Sequence, residues 1–224
     1  MKIPLSRRLQ RCADYIGTAN RVADIGCDHG YLGISLLKNG QAQSVIAADI
    51  RPMPLQAAKE NSKRFGFEEH MSFFLSDGVA AIPRDFDVMV CAGMGADTIV
   101  SILENSPWLQ STSYRLILQC QSKTALLREY LNKHGFTICR ESALKDGRFL
   151  YTVMEVVYKT DIPFTPGQCY FSPALARERT EETRAYYRQV LTQLQRAVDG
   201  QKDNADPFVK EALRELKENV YDNC

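Results

Sequence analysis

Short apolar runs alternate with amphipathic stretches along the first two thirds of the chain. The runs at 22–25, 44–49, 71–75, 87–92 and 115–119 have the length of buried strands, and their near-continuous apolar character suits strands covered on both faces. The stretches between them read as helices: Pro52 or Pro54 suits a first helical turn and Gly66 a C-terminal stop, while Ser122 can open a helix that Gly135 ends. An opening helix at 6–16 places Leu9, Cys12, Ala13 and Ile16 on one face, with Ser6 as its cap and its arginines facing outward. This alternation predicts an α/β fold with a parallel, doubly wound sheet. The pattern then changes. Two β-rich runs, 136–144 and 149–158, flank Asp146-Gly147, a strong hairpin signal, so an antiparallel pair completes the sheet.

Beyond Lys159 the stretch 160–167 breaks periodicity, and the remainder reads as two helices separated by 199–206. Tyr187, Leu191, Leu194 and Val198 share a face of the first, and Val209, Ala212, Leu213, Leu216 and Val220 share a face of the second. Each stripe can bury itself against the other, which predicts an antiparallel two-helix coiled coil. The expected division is a domain at 1–160 and a helical domain at 161–224.

Composition narrows the setting more than the chemistry. The 224 residues suffice for one α/β domain and a small appendage. No window approaches the ~20 apolar residues of a spanning helix, and the N-terminal residues lack the apolar core of a signal peptide, so the expected location is cytoplasmic, away from any membrane. Seven scattered cysteines without a C-x-x-C pair, and three histidines, suggest reduced thiols and no metal site. The net charge of +1 singles out no partner. Basic residues are local: Lys2, Arg7, Arg8 and Arg11 precede any acid, whereas 161–224 holds 9 basic and 11 acidic side chains, a net of −2.

The richest chemistry lies in Val22-Ala-Asp-Ile-Gly-Cys-Asp-His-Gly-Tyr-Leu-Gly33, followed by Val45-Ile-Ala-Ala-Asp49. A strand, a Gly-rich turn opening a helix, and a second strand ending in an acid nineteen residues beyond Gly30 together place a carboxylate at ribose-hydroxyl reach of an adenosine-bearing ligand. The glycines run Gly26-x-x-x-Gly30-x-x-Gly33 rather than G-x-G-x-x-G, and Asp24 and Asp28 would repel a pyrophosphate. Both carboxylates suit the ammonium and sulfonium of S-adenosylmethionine instead. A third acidic strand end, Asp77-Gly78, stands where an adenine could meet an acceptor. After the fourth strand comes Gly93-Met94-Gly95, without the Asn/Asp-Pro-Pro-aromatic motif that holds an exocyclic amine, which fits a ring-nitrogen acceptor.

Leu5-Ser-x-Arg-Leu9, Asp24-Ile-Gly-x-Asp-His-Gly-Tyr-Leu32, Ser76-Asp-Gly78, Ala92-Gly-Met-Gly95 and Leu116-Ile-Leu-Gln119 together resemble the bacterial tRNA (adenine-22-N1)-methyltransferases, the TrmK family. The resemblance spans nearly the whole chain and includes that family's closing coiled coil. It implies a class I S-adenosylmethionine-dependent methyltransferase (Rossmann-like) fold and methyl transfer to N1 of a D-arm adenine of tRNA. Two departures stand out: Ala96 where the family commonly has a fourth-position glycine, and Cys120 where it has proline after Leu-Gln. Both bear on the acceptor pocket more than on the cofactor loop.

The expected cofactor contacts are Asp24, Gly26, Asp28, His29, Gly30, Asp49, Ile50, Asp77, Gly78, Gly93, Met94 and Gly95. For catalysis Asp28 can stabilise the cation developing on the purine, or merely cap the next helix; Tyr31 can stack on or hydrogen-bond a flipped base, or merely pack. For tRNA docking the candidates are Arg7, Arg8 and Arg11, with Arg177, Arg184 and Arg188 at offsets of seven and four on one helical face. Glu181 sits at ion-pair spacing on that face, which makes a salt-bridged surface the competing expectation. A methyltransferase acting on a small molecule or protein, a noncatalytic RNA-binding protein of the same fold and a nicotinamide oxidoreductase are the rival functions. Oligomeric state stays open, a monomer being compatible with the sequence.

Overall fold

A computed structural model describes residues 3–160, 162–201 and 204–218. Seven strands form one sheet: β1 (Ala19–Ile25), β2 (Ala42–Asp49), β3 (Met71–Leu75), β4 (Val88–Met94), β5 (Arg115–Cys120), β6 (Phe136–Asp146) and β7 (Phe149–Tyr158). Their spatial order is β3-β2-β1-β4-β5-β7-β6, parallel from β3 to β5, with β7 antiparallel to both β5 and β6. All seven predicted strands are present, most of them a residue or two longer than their apolar runs.

Side chains alternate between two cores, as the period of a strand requires. Val22, Val45, Val88, Val90 and Ile117 face α1 (Arg7–Ile16), α2 (Tyr31–Lys38) and α3 (Pro52–Phe65), where they meet Cys12, Ile16, Leu32, Leu36 and Ala58. Ala23, Ile46, Met89, Leu116 and Leu118 face α4 (Ala96–Glu104) and α5 (Thr124–Lys133), meeting Ile99, Leu103, Leu127 and Leu131. Ser6 caps α1 by accepting from the Leu9 amide, and Gly66 ends α3 in the left-handed region, both as expected. The start of α5 differs: its N-cap is Lys123, at φ 57°, rather than Ser122.

The arginines of α1 do not all point outward. Arg7 is exposed, but Arg8 and Arg11 are half-buried, Arg8 donating to Asp146 and Gln119 and Arg11 to the buried Ser142 hydroxyl at 2.7 Å. Helix α1 lies across β5, β6 and β7, so the face that an isolated amphipathic helix would give to water meets the terminal hairpin.

Among its described residues the C-terminal region holds four helices where two were expected: α6 (Pro166–Tyr170), α7 (Pro173–Ala176), α8 (Glu181–Gln201) and α9 (Pro207–Glu218). The first two span five and four residues, too few to register as a periodicity, although each opens with proline after a Thr165 or Ser172 cap. Helices α8 and α9 run antiparallel: the Tyr187 hydroxyl near the start of α8 donates to the Leu216 carbonyl near the end of α9. Their stripes also pack on Ala143, Leu150, Phe171 and Leu175, so the pair is seated on the hairpin rather than freestanding. Val220, expected on the second stripe, lies outside the described residues.

One buried cluster ties this region to the sheet. Arg128 of α5 and Glu141 of β6, both 0% exposed, pair at 2.7 Å. Arg128 also donates to the Cys169 and Tyr170 carbonyls, and Ser172 donates to Glu141 at 2.6 Å. No helix among the described residues is long and apolar enough to cross a membrane.

Candidate functional site

The order of strands reverses between β1 and β4, and a crevice opens there beyond the carboxyl ends of the parallel strands, where doubly wound sheets hold ligands. It forms a cavity of about 470 Å³. Asp24, Gly26, Asp28, His29, Asp49, Ile50, Asp77, Gly78, Gly93 and Met94 all line it, as does Tyr31. Gly30 and Gly95 do not; they are the N-cap residues of α2 and α4 and shape the walls from behind. The N-cap of α2 is Gly30 and no side chain caps that helix, so the capping role weighed for Asp28 is not realised.

Asp24 sits at the bottom. Its side chain is buried, and Oδ2 has no hydrogen-bond partner. Burial first, then the nearby Asp49 and Asp28 charges, lifts its carboxyl to about 7 against an opposing backbone hydrogen bond from Gly33. An unpartnered carboxylate oxygen in a cavity is costly unless a donor or cation meets it. Asp49 is also buried but satisfied: Oδ2 accepts from the Asp28 amide at 3.2 Å and Oδ1 from the Arg51 amide at 2.9 Å. A carboxylate has about four lone-pair sites, so it retains capacity for ribose hydroxyls.

The turn that carries these groups is strained. Asp28 adopts φ 49°, uncommon for a residue with a side chain, and its carboxylate is 63% exposed at the rim, 3.8 Å from His29 Nε2. Gly26 adopts φ 72°, a left-handed backbone that favours glycine, beside the Met94 side chain on the neighbouring strand end. Tyr31 is half-buried and packs edge-on against Phe65, with centroids 6.5 Å apart.

On the other wall Gly93, at φ 82°, donates its amide to Gln119 Oε1 at 3.0 Å. Gln119 is fully buried, and the same oxygen accepts from Arg8 Nη1 at 3.2 Å. Arg8, expected only as an RNA contact, therefore lines the cavity. Thr98 and Gln121 line it too and were missed, since single polar residues at helix and strand ends give no pattern by themselves, and so does Ser76, which the sequence offered within Ser76-Asp-Gly78 but not as a contact. The two departures leave the wall intact: Ala96 is the buried first residue of α4, and Cys120 donates its thiol to the Ser122 carbonyl at 2.9 Å. Burial, reinforced by Asp24, pushes the Cys27 thiol well up and the Cys91 thiol to about 12, which removes both as nucleophiles at neutral pH.

Arg177 does not share a helix with Arg184 and Arg188. It follows α7 and donates to the Cys139 carbonyl, while Arg184 and Arg188 both pair with Glu181, at 3.8 and 2.9 Å. Arg7 pairs with Glu182 at 3.5 Å, which joins the starts of α1 and α8.

A cavity lined by a buried aspartate with one unpartnered oxygen and by three more acids is complementary to a cationic adenosine derivative, and the residues present fit S-adenosylmethionine. Residues 5–154 match the model of the family described as a methyltransferase domain. The chain belongs to this family. A tRNA (adenine(22)-N(1))-methyltransferase of Bacillus subtilis (strain 168) is 34% identical over 154 residues, which cover 68% of this chain and 65% of that protein. The crystal structure of the Bacillus subtilis tRNA methyltransferase TrmK aligns with 97% of this chain and 96% of its own, at 29% identity and a TM-score of 0.81. A Streptococcus pneumoniae protein solved in complex with S-adenosyl-L-methionine aligns with 96% of this chain and 99% of its own, at 28% identity and a TM-score of 0.84. The two structural likenesses extend past the matched domain into the C-terminal helices.

Proposed function

We propose that the chain is a tRNA (adenine-22-N1)-methyltransferase that uses S-adenosylmethionine. The observation that carries the reading is the unpartnered Asp24 oxygen at the base of an acidic cleft, a group that only a donor or cation satisfies. The relatives support the acceptor, because the likeness continues through the helices that lie outside the methyltransferase domain. When bound, S-adenosylmethionine supplies an electrophilic methyl on a sulfonium. The chain's residues do the rest. Asp24 binds the ammonium, Asp49 the ribose hydroxyls, and Asp77 with Ile50 the adenine, while Gly93 and Met94 bring backbone close to the reacting centre.

Neutral adenine carries a lone pair on N1, so no base need deprotonate the nucleophile and alignment is the main task, worth ~7 kcal/mol or more. In this reading Asp28, on its strained turn at the rim, stabilises the positive charge that passes to the purine and accepts from its exocyclic amine. Tyr31 covers the flipped base. Of the arginines named for RNA, Arg8 is the one that lines the cleft and so stands nearest the acceptor; pairing with acids does not separate it from the others, since Arg7, Arg8 and Arg11 meet Glu182, Asp146 and Asp14 as Arg184 and Arg188 meet Glu181. We take residues 1–160 as the catalytic domain and 161–224 as a helical domain that helps seat the tRNA, and the cytoplasm as the site of action.

Incubating the protein with S-adenosylmethionine and a transcript bearing adenine at position 22 tests this, with the product mapped by reverse-transcription stops. A stop at that position, lost when the adenine is replaced, is expected. Cofactor binding without transfer to tRNA would point to a small-molecule or protein acceptor.

A further inference from the structure

The β6–β7 hairpin reaches past the sheet edge beside the acceptor wall. Because β7 runs antiparallel to β5, with Leu118 opposite Met154, the residues before Thr152 continue beyond the carboxyl end of β5, on the side where the cleft opens. At its turn are Lys145, Arg148 and Phe149, all exposed, Phe149 by 51%. The Arg148 guanidinium lies 4.8 Å over the Phe149 ring, whose centroid is 6.1 Å from that of Tyr151.

The turn is fastened to the cleft by α1. Arg8, which lines the cavity, donates from Nε to Asp146 at 3.0 Å and stacks 4.9 Å over Tyr151. Arg7 donates to the Lys145 carbonyl at 2.9 Å. Asp146 is thus paired with Arg8, which leaves Lys145 and Arg148 as the exposed charges of the turn. An exposed aromatic covered by a guanidinium contributes little to the fold. A ring under one guanidinium at a turn tip, with Lys145 on the other face of the hairpin across from Leu150, has the chemistry of a platform for an unpaired base with a cation on either side for its flanking phosphates.

We propose that the hairpin turn Lys145–Phe149 is an RNA-docking surface, Phe149 stacking on a base unstacked when the target adenine leaves its helix and Lys145 and Arg148 contacting the adjoining phosphates. The proposal rests on the tRNA methyltransferase reading. It assigns docking to an element that sequence pattern presented only as a turn.

The test compares the full-length protein with Phe149→Ala, Phe149→Trp and the double variant Lys145→Ala with Arg148→Ala. Binding to a transcript with adenine at position 22 is measured by gel shift across a salt series, alongside methylation kinetics. Calorimetry with S-adenosylmethionine and thermal unfolding are expected to match wild type in every variant, since none of these residues lines the cleft. Phe149→Ala should raise the Kd for the transcript roughly tenfold or more, with Phe149→Trp restoring it. The double variant should lower the slope of log K against log salt by about 1–2, one phosphate contact accounting for ~0.9. Wild-type affinity and slope in the variants, with the wild type active on tRNA, would overturn the proposal alone. A change in oligomeric state of Phe149→Ala, without loss of tRNA affinity, would overturn it in favour of a contact between copies. A wild type that neither binds nor methylates tRNA would remove the functional reading and this proposal with it.

Discussion

Asp24 concentrates the conflict between stability and function in one side chain. Burial lifts its carboxyl to about 7, above its value in an unfolded chain. The folded, ligand-free protein therefore binds more protons than the unfolded chain between about pH 4 and 7, and it loses stability as pH rises through that window. Asp24→Asn should raise the melting temperature of the ligand-free protein at pH 8 by a few degrees, at about 2–4 °C per kcal/mol for a chain of this size, while abolishing S-adenosylmethionine binding. An unchanged affinity would separate Asp24 from the ligand. Because the cation needs the ionised form, wild-type affinity should climb from pH 5.5 to about 7, by at most tenfold per unit, and then level off. A flat calorimetric profile over that range would contradict this. Asp24, Asp49 and Asp77 were legible because acids at strand ends in a βαβ pattern have few structural uses. Gln119 and the inward turn of Arg8 were not, since both depend on how the last hairpin packs against the first helix.

At the scale of elements, strands were readable wherever both faces are buried, because an apolar run of that length has few alternatives. Helices α6 and α7 escaped because four or five residues carry caps but no period. Arg128 escaped for a related reason: within α5 it looks like any charged helical residue, and its partner Glu141 lies 13 positions away on a strand. The pair joins α5, β6 and the loops around α6 and α7, so the sheet and the C-terminal helices share one polar knot. Removing one member leaves a buried charge uncompensated. Arg128→Ala should cost about 3–5 kcal/mol in denaturant unfolding and make the chain after Tyr158 more sensitive to protease. A loss under ~1 kcal/mol, with unchanged proteolysis, would mean that the helices are held by their apolar stripe alone.

For the molecule as a whole, the reversal of strand order between β1 and β4 sets where chemistry happens. In the proposed reading the adenosine lies toward β2 and β3, where Asp49 and Asp77 line the cleft. In the same reading the acceptor lies toward β5 and the terminal hairpin, where Gly93, Gln119 and Arg8 meet. The net charge of +1 hides a local excess of acids, since Asp24, Asp28, Asp49 and Asp77 line the cleft together with Arg51, beside Asp49, and Arg8. In the proposed function this arrangement carries a methyl group to one ring nitrogen of tRNA. The most direct measurement is methyl transfer from S-adenosylmethionine to paired transcripts differing only at position 22, read by reverse-transcription stops. A stop at adenine 22 is expected, with no incorporation when another base replaces it. Equal incorporation into both transcripts, or none into either despite cofactor binding, would contradict it.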